Sequence, residues 1–242
     1  MWLWCILIMS DKDTDKPKAN SGRYSARSKS VRVKTARGRK NSSTRWLQRQ
    51  LNDPYVKEAQ RLGYKSRAAF KLIEMDDQLK LIKPGTIAVD LGAAPGGWCQ
   101  VLVQRGAKHV VAIDLIEVTD VPDISFIQMD FTDDDAPDTL ISMLDGQKPN
   151  LVISDMAPNT VGHPKTDHLR TMALVEMAWD FAYNTLADGG HFVAKVFQGG
   201  TGADLMAAIK PHFKTVKHVK PKASRKGSPE TYLVALGFHK KH

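Results

Sequence analysis

Residues 87–98, Ile-Ala-Val-Asp-Leu-Gly-Ala-Ala-Pro-Gly-Gly-Trp, constrain the fold of this chain more tightly than any other stretch. An apolar strand runs into Asp90, the backbone turns through Gly92, Gly96 and Gly97, and a helix is expected to open near Trp98. Glycine permits positive φ and removes the Cβ that would hold a ligand away from the main chain. A strand, a glycine-rich turn and a helix N-terminus describe the nucleotide-binding corner of a doubly wound α/β sheet. The dinucleotide fingerprint does not fit, because Ala94 stands where its second glycine belongs. Pro95 further removes an amide that a pyrophosphate cradle could use.

The turn therefore favours a nucleoside without phosphates, S-adenosylmethionine before NAD or ATP, and points toward methyl transfer. A nicotinamide dehydrogenase is the weaker alternative. Asp114 closes the next apolar run, Val-Val-Ala-Ile-Asp, 22 residues after Gly92. An acid at that interval is placed to accept hydrogen bonds from ribose hydroxyls, although an N-capping aspartate would look the same. Asp130 ends the third run in Gln-Met-Asp-Phe, where it could meet an adenine amino group.

Length and composition set the frame. The 242 residues suffice for one substantial core with appendages. Cys5 and Cys99 lie far apart and imply no disulfide framework, as in a reducing, cytoplasmic compartment. His163 and His168 share a proline-containing loop without metal-ligand spacing, so a surface role is expected. The opening apolar run of nine residues is far short of the roughly 20 that cross a bilayer, and it lacks the basic region and cleavage site of a signal peptide. Translation is expected to begin at Met9, with the first eight residues a start-site artefact.

Charge is segregated along the chain. Residues 16–49 hold twelve Lys/Arg and no carboxylate, residues 84–205 hold six basic against seventeen acidic, and residues 206–242 hold nine basic and one acidic. Positive flanks around an acidic, cofactor-binding centre suit an RNA substrate gripped through its phosphates. Residues 10–44 have almost no large apolar side chain and cannot fold alone, so residues 1–44 are expected as a disordered basic extension and 45–242 as one catalytic domain. Within that domain a helix is expected over 66–81. Strands at 86–91, 109–114, 124–129, 149–155, 189–197, 213–219 and 231–237 alternate with helices near 97–106, 134–145, 166–186 and 202–211. This alternation signals a largely parallel sheet of seven strands with helices on both faces, its last two strands pairing antiparallel at one edge.

Three further residues carry chemistry. Asp155 ends the fourth strand in Ile-Ser-Asp-Met-Ala-Pro-Asn, where Ala157 and Asn159 replace the proline and aromatic ring that amine methyltransferases present to a flat base. Lys195 interrupts the apolar run His-Phe-Val-Ala-Lys-Val-Phe, where an unpaired ammonium is costly unless it snorkels or serves the site as a general base. Glu230 is the one carboxylate after Asp204 and could pair with such a lysine.

Over residues 53–238 the chain resembles the FtsJ/RrmJ (RlmE) family of large-subunit ribosomal RNA 2'-O-ribose methyltransferases. The likeness runs through Ser66-Arg67-Ala68-Ala69-Phe70-Lys71-Leu72, the Asp90–Trp98 turn, Ser154–Asn159, Lys195–Gly199 and Ser224-Arg225 to Glu230. Ala69, where an aromatic residue is usual, and Pro229 depart from the family pattern. The resemblance implies a Rossmann-like fold and a Lys-Asp-Lys-Glu tetrad at Lys71, Asp155, Lys195 and Glu230, with Lys195 as base. It implies S-adenosyl-L-methionine held by Gly96, Trp98, Asp114, Asp130 and Asp155, to which the turn itself adds Asp90, Gly92 and Gly97. The implied substrate is a uridine ribose of 23S ribosomal RNA within the large ribosomal subunit, methylated by a monomer without metal or membrane. A transfer RNA 2'-O-methyltransferase and a non-catalytic ribosome-assembly factor are the alternatives.

Overall fold

A computed structural model describes residues 41–158, 162–197, 202–225 and 227–240. The proposed start at Met9, most of the basic extension, Cys5, Asn159 and Gly199 lie outside the described residues.

Seven strands form one sheet: β1 (Ile87–Leu91), β2 (His109–Asp114), β3 (Ser125–Gln128), β4 (Leu151–Ser154), β5 (His191–Phe197), β6 (Phe213–Val219) and β7 (Glu230–Phe238). Their order is β3-β2-β1-β4-β5-β7-β6. β3, β2, β1, β4 and β5 run parallel, so each connection between them crosses over a sheet face, through a helix everywhere except between β2 and β3, where a loop over 115–124 makes the crossing. The order reverses between β1 and β4, which opens the crevice where ligands bind in such sheets. β7 is antiparallel to both of its neighbours. The final two strands do pair at one edge, with β7 inserted between β5 and β6. This insertion was not legible as local pattern, because it depends on a crossover.

Among the described residues there are seven α-helices, α1 (Asn41–Asn52), α2 (Pro54–Leu62), α3 (Ala69–Leu79), α4 (Gly97–Gln104), α5 (Ala136–Met143), α6 (Pro164–Thr185) and α7 (Ala203–Ile209), of which α3 and α4 cover one sheet face and α5, α6 and α7 the other. Period-2 alternation divides the strands between two cores. Val89 and Leu91 of β1, Phe192 and Ala194 of β5, and Leu233 and Ala235 of β7 pack with α5, α6 and α7. Ala88, Val193, Tyr232 and Val234 pack on the other face with Leu72 and Met75 of α3 and Leu102 of α4. Lys195, between Ala194 and Val196, therefore shares the α3 face with Tyr232, its partner in the ladder. Burial on both faces explains why the parallel strands lack polar residues in alternation. At the β6 edge, exposed Lys214 and Lys217 blunt a row of unpaired backbone groups.

The first two helices were not anticipated. α1 already includes Asn41 to Ser43, upstream of the onset expected near Thr44. α2 carries its signals openly: Asp53 caps it by accepting from the Tyr55 amide at 3.0 Å, Pro54 opens it, and Gly63 closes it at φ 76°. Polar composition masked both helices, since little of either is buried. The loop expected around His163 and His168 is instead the start of α6, with His163 as N-cap and His168 inside the first turns.

Candidate active site

The four tetrad candidates come from four elements and meet at the carboxyl ends of β4 and β5. Asp155 follows β4 directly, Lys195 lies in β5, Lys71 is in the first turn of α3, and Glu230 opens β7. The Asp155 carboxylate stands between the two amines: its Oδ1 is 3.2 Å from Lys195 Nζ and its Oδ2 is 3.7 Å from Lys71 Nζ. Lys195 Nζ also donates to the Asp155 carbonyl. Lys71 Nζ pairs with Glu230 Oε1 at 2.8 Å. Both lysines are nearly buried, at 9% and 7% exposure. Two ammonium groups in so dry a place require two carboxylates beside them, and the cluster supplies that balance.

Tyr232 occupies the centre and was missed in the sequence. Its hydroxyl accepts from Lys71 Nζ at 3.0 Å, donates to Asp155 Oδ1 at 2.8 Å and lies 3.4 Å from Glu230 Oε1. Burial, reinforced by the charges of Asp155 and Glu230, pushes this phenol well above its ordinary range, so it remains a neutral donor. A tyrosine in an apolar strand is indistinguishable from core by composition alone. Its place two residues after Glu230, on the same side of the strand, was the available signal. At Asp155 itself burial favours the neutral acid, but Lys195, then Lys71 and the Tyr232 hydroxyl, outweigh it and hold the carboxyl below its usual value.

A cavity of about 490 Å³ opens beside this cluster, with Gly92, Asp114, Asp130 and Asp155 in its wall alongside apolar Met129 and Phe131. Asp155 thus belongs both to the cavity and to the tetrad. Asp114 fixes the glycine-rich turn: its two oxygens accept from the Ala94 amide at 2.8 Å and the Ile116 amide at 2.9 Å. This tie leaves the second lone pair of each oxygen for a ligand. Asp130 Oδ1 is taken by the Thr132 amide and hydroxyl, at 2.9 and 2.8 Å.

The turn itself offers no phosphate cradle. Gly92 and Ala93 both donate to the Ile113 carbonyl, Ala94 to Asp114 and Gly96 to the Ala93 carbonyl. Pro95 has no amide to give. A cradle needs several outward amides, so this corner suits a nucleoside without phosphates better than a pyrophosphate.

The remaining candidates stand behind the cavity wall and shape it. Trp98 is 3% exposed; its Nε1 donates to the Ala68 carbonyl at 2.8 Å, and its ring lies 5.7 Å from that of Tyr232. It couples the turn to α3 and to the tetrad. A Cβ on Gly96, at φ 103°, would meet Val121 Cγ2 at 2.7 Å, and one on Gly97 would meet Ser66 Oγ at 2.7 Å. Asp90 is completely buried, with Oδ2 accepting from Cys99 Sγ at 3.1 Å and Oδ1 without a partner. Burial raises its pKa to about 7, against the Cys99 hydrogen bond and with help from Asp155 and Asp114.

Comparison with known proteins agrees with this architecture. Residues 64–238 match the model of the FtsJ-like methyltransferase family. The chain is 59% identical over 213 residues to the ribosomal RNA large subunit methyltransferase E of Gluconobacter oxydans, covering 88% of this chain and 79% of that protein. It is 59% identical over 209 residues to the protein of the same name from Sphingopyxis alaskensis, covering 86% and 90%. Among solved structures, a Plasmodium falciparum protein described as a ribosomal RNA methyltransferase superposes with a TM-score of 0.66 at 30% identity, covering 74% of this chain and all of that one. A mostly parallel seven-stranded sheet, a nucleoside-shaped turn and two lysines joined on one carboxylate thus coincide with likeness along most of the sequence, and the chain belongs to the FtsJ-like methyltransferase family.

Proposed function

We propose that the protein transfers the methyl group of S-adenosylmethionine to the 2'-hydroxyl of a ribose, a uridine, in 23S ribosomal RNA of the large ribosomal subunit. The observation that carries this reading is the meeting of Lys71 and Lys195 on Asp155, at the edge of the cavity. The names of the relatives support ribosomal RNA over transfer RNA as substrate.

The residues present fit the cofactor. Asp114 and Asp130, at the ends of β2 and β3, would take the ribose and the adenine amino group, and Met129 and Phe131 would flank the base. Gly92 and Asp155 would border the methionine side, with Asp90, Gly96, Gly97 and Trp98 shaping the turn from behind. Bound there, S-adenosylmethionine supplies an electrophilic sulfonium methyl. The protein's task is to orient one weak nucleophile and remove one proton. Lys195, after releasing its own proton, takes the proton of the 2'-hydroxyl as that oxygen gains the methyl group. Asp155 holds the resulting ammonium, at the 3.2 Å contact already formed. Lys71, fixed by Glu230 and the Tyr232 hydroxyl, turns a positive charge toward the oxygen as negative charge develops on it.

The protein acts as a monomer in the cytoplasm, with residues 45–242 as the catalytic domain and residues 1–44 as a basic arm for RNA. Among the described residues no helix is long and apolar enough to cross a membrane. The test is tritium transfer from labelled donor to undermodified large subunits, with bulk transfer RNA as the competitor. Lys195→Ala should abolish transfer while leaving donor affinity nearly intact; a variant keeping more than a tenth of the wild-type rate would refute the base assignment.

A further inference from the structure

Lys71 and Glu230 are 159 positions apart in sequence, yet their charged atoms must stay within 2.8 Å. Glu230 enters β7 from the loop that follows β6, and the route from α3 to that loop is built from groups with no part in the chemistry. The backbone of Ala223 is gripped at both its amide and its carbonyl. Its amide donates to Glu74 Oε2 at 3.1 Å, and its carbonyl accepts from the Arg67 guanidinium. Glu74 belongs to α3, and Arg67 lies in the turn just before it, so both holders move with Lys71.

The ring then closes on the tetrad. Ser224, next along the chain, donates from Oγ to Glu230 Oε1 at 2.9 Å, the same oxygen that pairs with Lys71. Each holder is itself fixed. Glu74 Oε1 accepts from Tyr55 of α2 at 3.0 Å, and Arg67 pairs with Asp53, the N-cap of that helix, while stacking 5.6 Å from the Tyr55 ring. Arg225 adds a 3.6 Å contact to Asp53. The Ala223 methyl is fully buried in a small cluster with Ala59 and Phe70, which belong to α2 and α3. A loop that needed only to connect two strands would not spend a half-buried arginine and a glutamate on the amide and carbonyl of one residue.

We propose that Glu74 and Arg67 are positioning residues for methyl transfer: together they bracket the Ala223 backbone and thereby fix Glu230 against Lys71. The proposal rests on the placement of Lys71 and Glu230 at the reacting centre. Loosening the bracket lets the loop carry Glu230 away, and a displacement near 1 Å at a reacting centre costs up to about a hundredfold in rate. Donor binding is untouched, because neither residue borders the cavity.

The experiment measures kcat, the KM for undermodified large subunits and the donor Kd by calorimetry, for wild type, Glu74→Ala and Glu74→Gln. Glu74→Ala should lower kcat at least tenfold with donor Kd within twofold of wild type. Glu74→Gln should restore most of the rate, since its carbonyl can serve Ala223 while its amide donates to the Tyr55 oxygen. Wild-type kcat in Glu74→Ala would overturn the proposal, as would a Gln variant no better than Ala. Should Glu74→Ala fail to fold, Arg67→Lys carries the test. An ammonium lacks the planar fork that serves Asp53 and Ala223 from separate nitrogens, so kcat should fall while the KM for RNA holds. A raised KM at unchanged kcat would make Arg67 an RNA contact and sink the bracket. Lys71→Ala and Glu230→Gln serve as controls. If they keep full activity, the tetrad reading itself fails; if they lose it while Glu74→Ala does not, the bracket alone fails.

Discussion

Asp90 should make the protein lose stability as pH rises through the neutral range. The unfolded aspartate releases its proton near 3.8, whereas the folded one holds it to about 7, first because burial disfavours the charge and then because Asp155 and Asp114 repel it. Between those values the folded state binds more protons than the unfolded state, so stability falls with increasing pH. Each tenfold in proton affinity is worth about 1.4 kcal/mol, which makes the full effect roughly 4 kcal/mol. Below 3.8 both states are neutral and nothing is lost; above about 7 the loss is complete. No discount for solvent applies to a side chain with zero exposure. Asp90→Asn keeps the shape and an oxygen acceptor for Cys99 but cannot ionise. Urea unfolding followed by tryptophan fluorescence, at matched ionic strength and at steps from pH 4 to 8, isolates the term as wild type minus variant. Groups far from Asp90 cancel in that difference. It should move against wild type by roughly 4 kcal/mol across the range. A difference that stays flat would show that Asp90 is already ionised at low pH, and the account of its burial would be wrong.

Other perturbations test the remaining joints of the site. Gly92→Ala places a Cβ 2.8 Å from Met156 Cγ and 2.9 Å from its amide, at φ 82°; strain and overpacking should cost about 2–4 kcal/mol in thermal unfolding. Because Met156 lines the cavity, calorimetry should also show donor affinity at least tenfold weaker. Tyr232→Phe removes the hydroxyl shared by Lys71 and Asp155. It should destabilise by about 1–3 kcal/mol and lower kcat about tenfold, with donor Kd unchanged. Deleting residues 10–44 should weaken RNA binding and flatten its dependence on salt while leaving donor binding intact, as filter binding at several salt concentrations would show.

Much of the architecture was legible as local pattern. Each expected strand lies within a few residues of an observed one, because fully buried parallel strands are short apolar runs bounded by polar turns. Asp114 and Asp130 could be placed at the cavity for the same reason: a residue that ends a parallel strand faces the ligand side of the sheet. The misses share a different cause. α1 and α2 bury too little apolar surface to show a stripe, although Asp53, Pro54 and Gly63 marked the second of them. Tyr232 was hidden because its hydroxyl's partners are supplied by α3 and β4, both remote in sequence.

The chain by itself determines which residues are strands, where the glycine-rich turn falls and that Pro95 and Ala94 break the dinucleotide fingerprint; these depend on side-chain size, φ and the missing amide of proline, all short-range, whereas the occupation of the turn's other amides by Ile113 and Asp114 needs the fold. Only the folded molecule decides that β7 enters between β5 and β6, bringing Glu230 and Tyr232 onto the face where Lys195 meets α3. The same arrangement decides the charge states of Asp155 and Asp90. One lies among cations and keeps its charge; the other, end-on in the sheet with a thiol as neighbour, gives its charge up near neutrality. Ion pairing and desolvation act over a few ångströms of space rather than of sequence, so both wait for the tertiary fold.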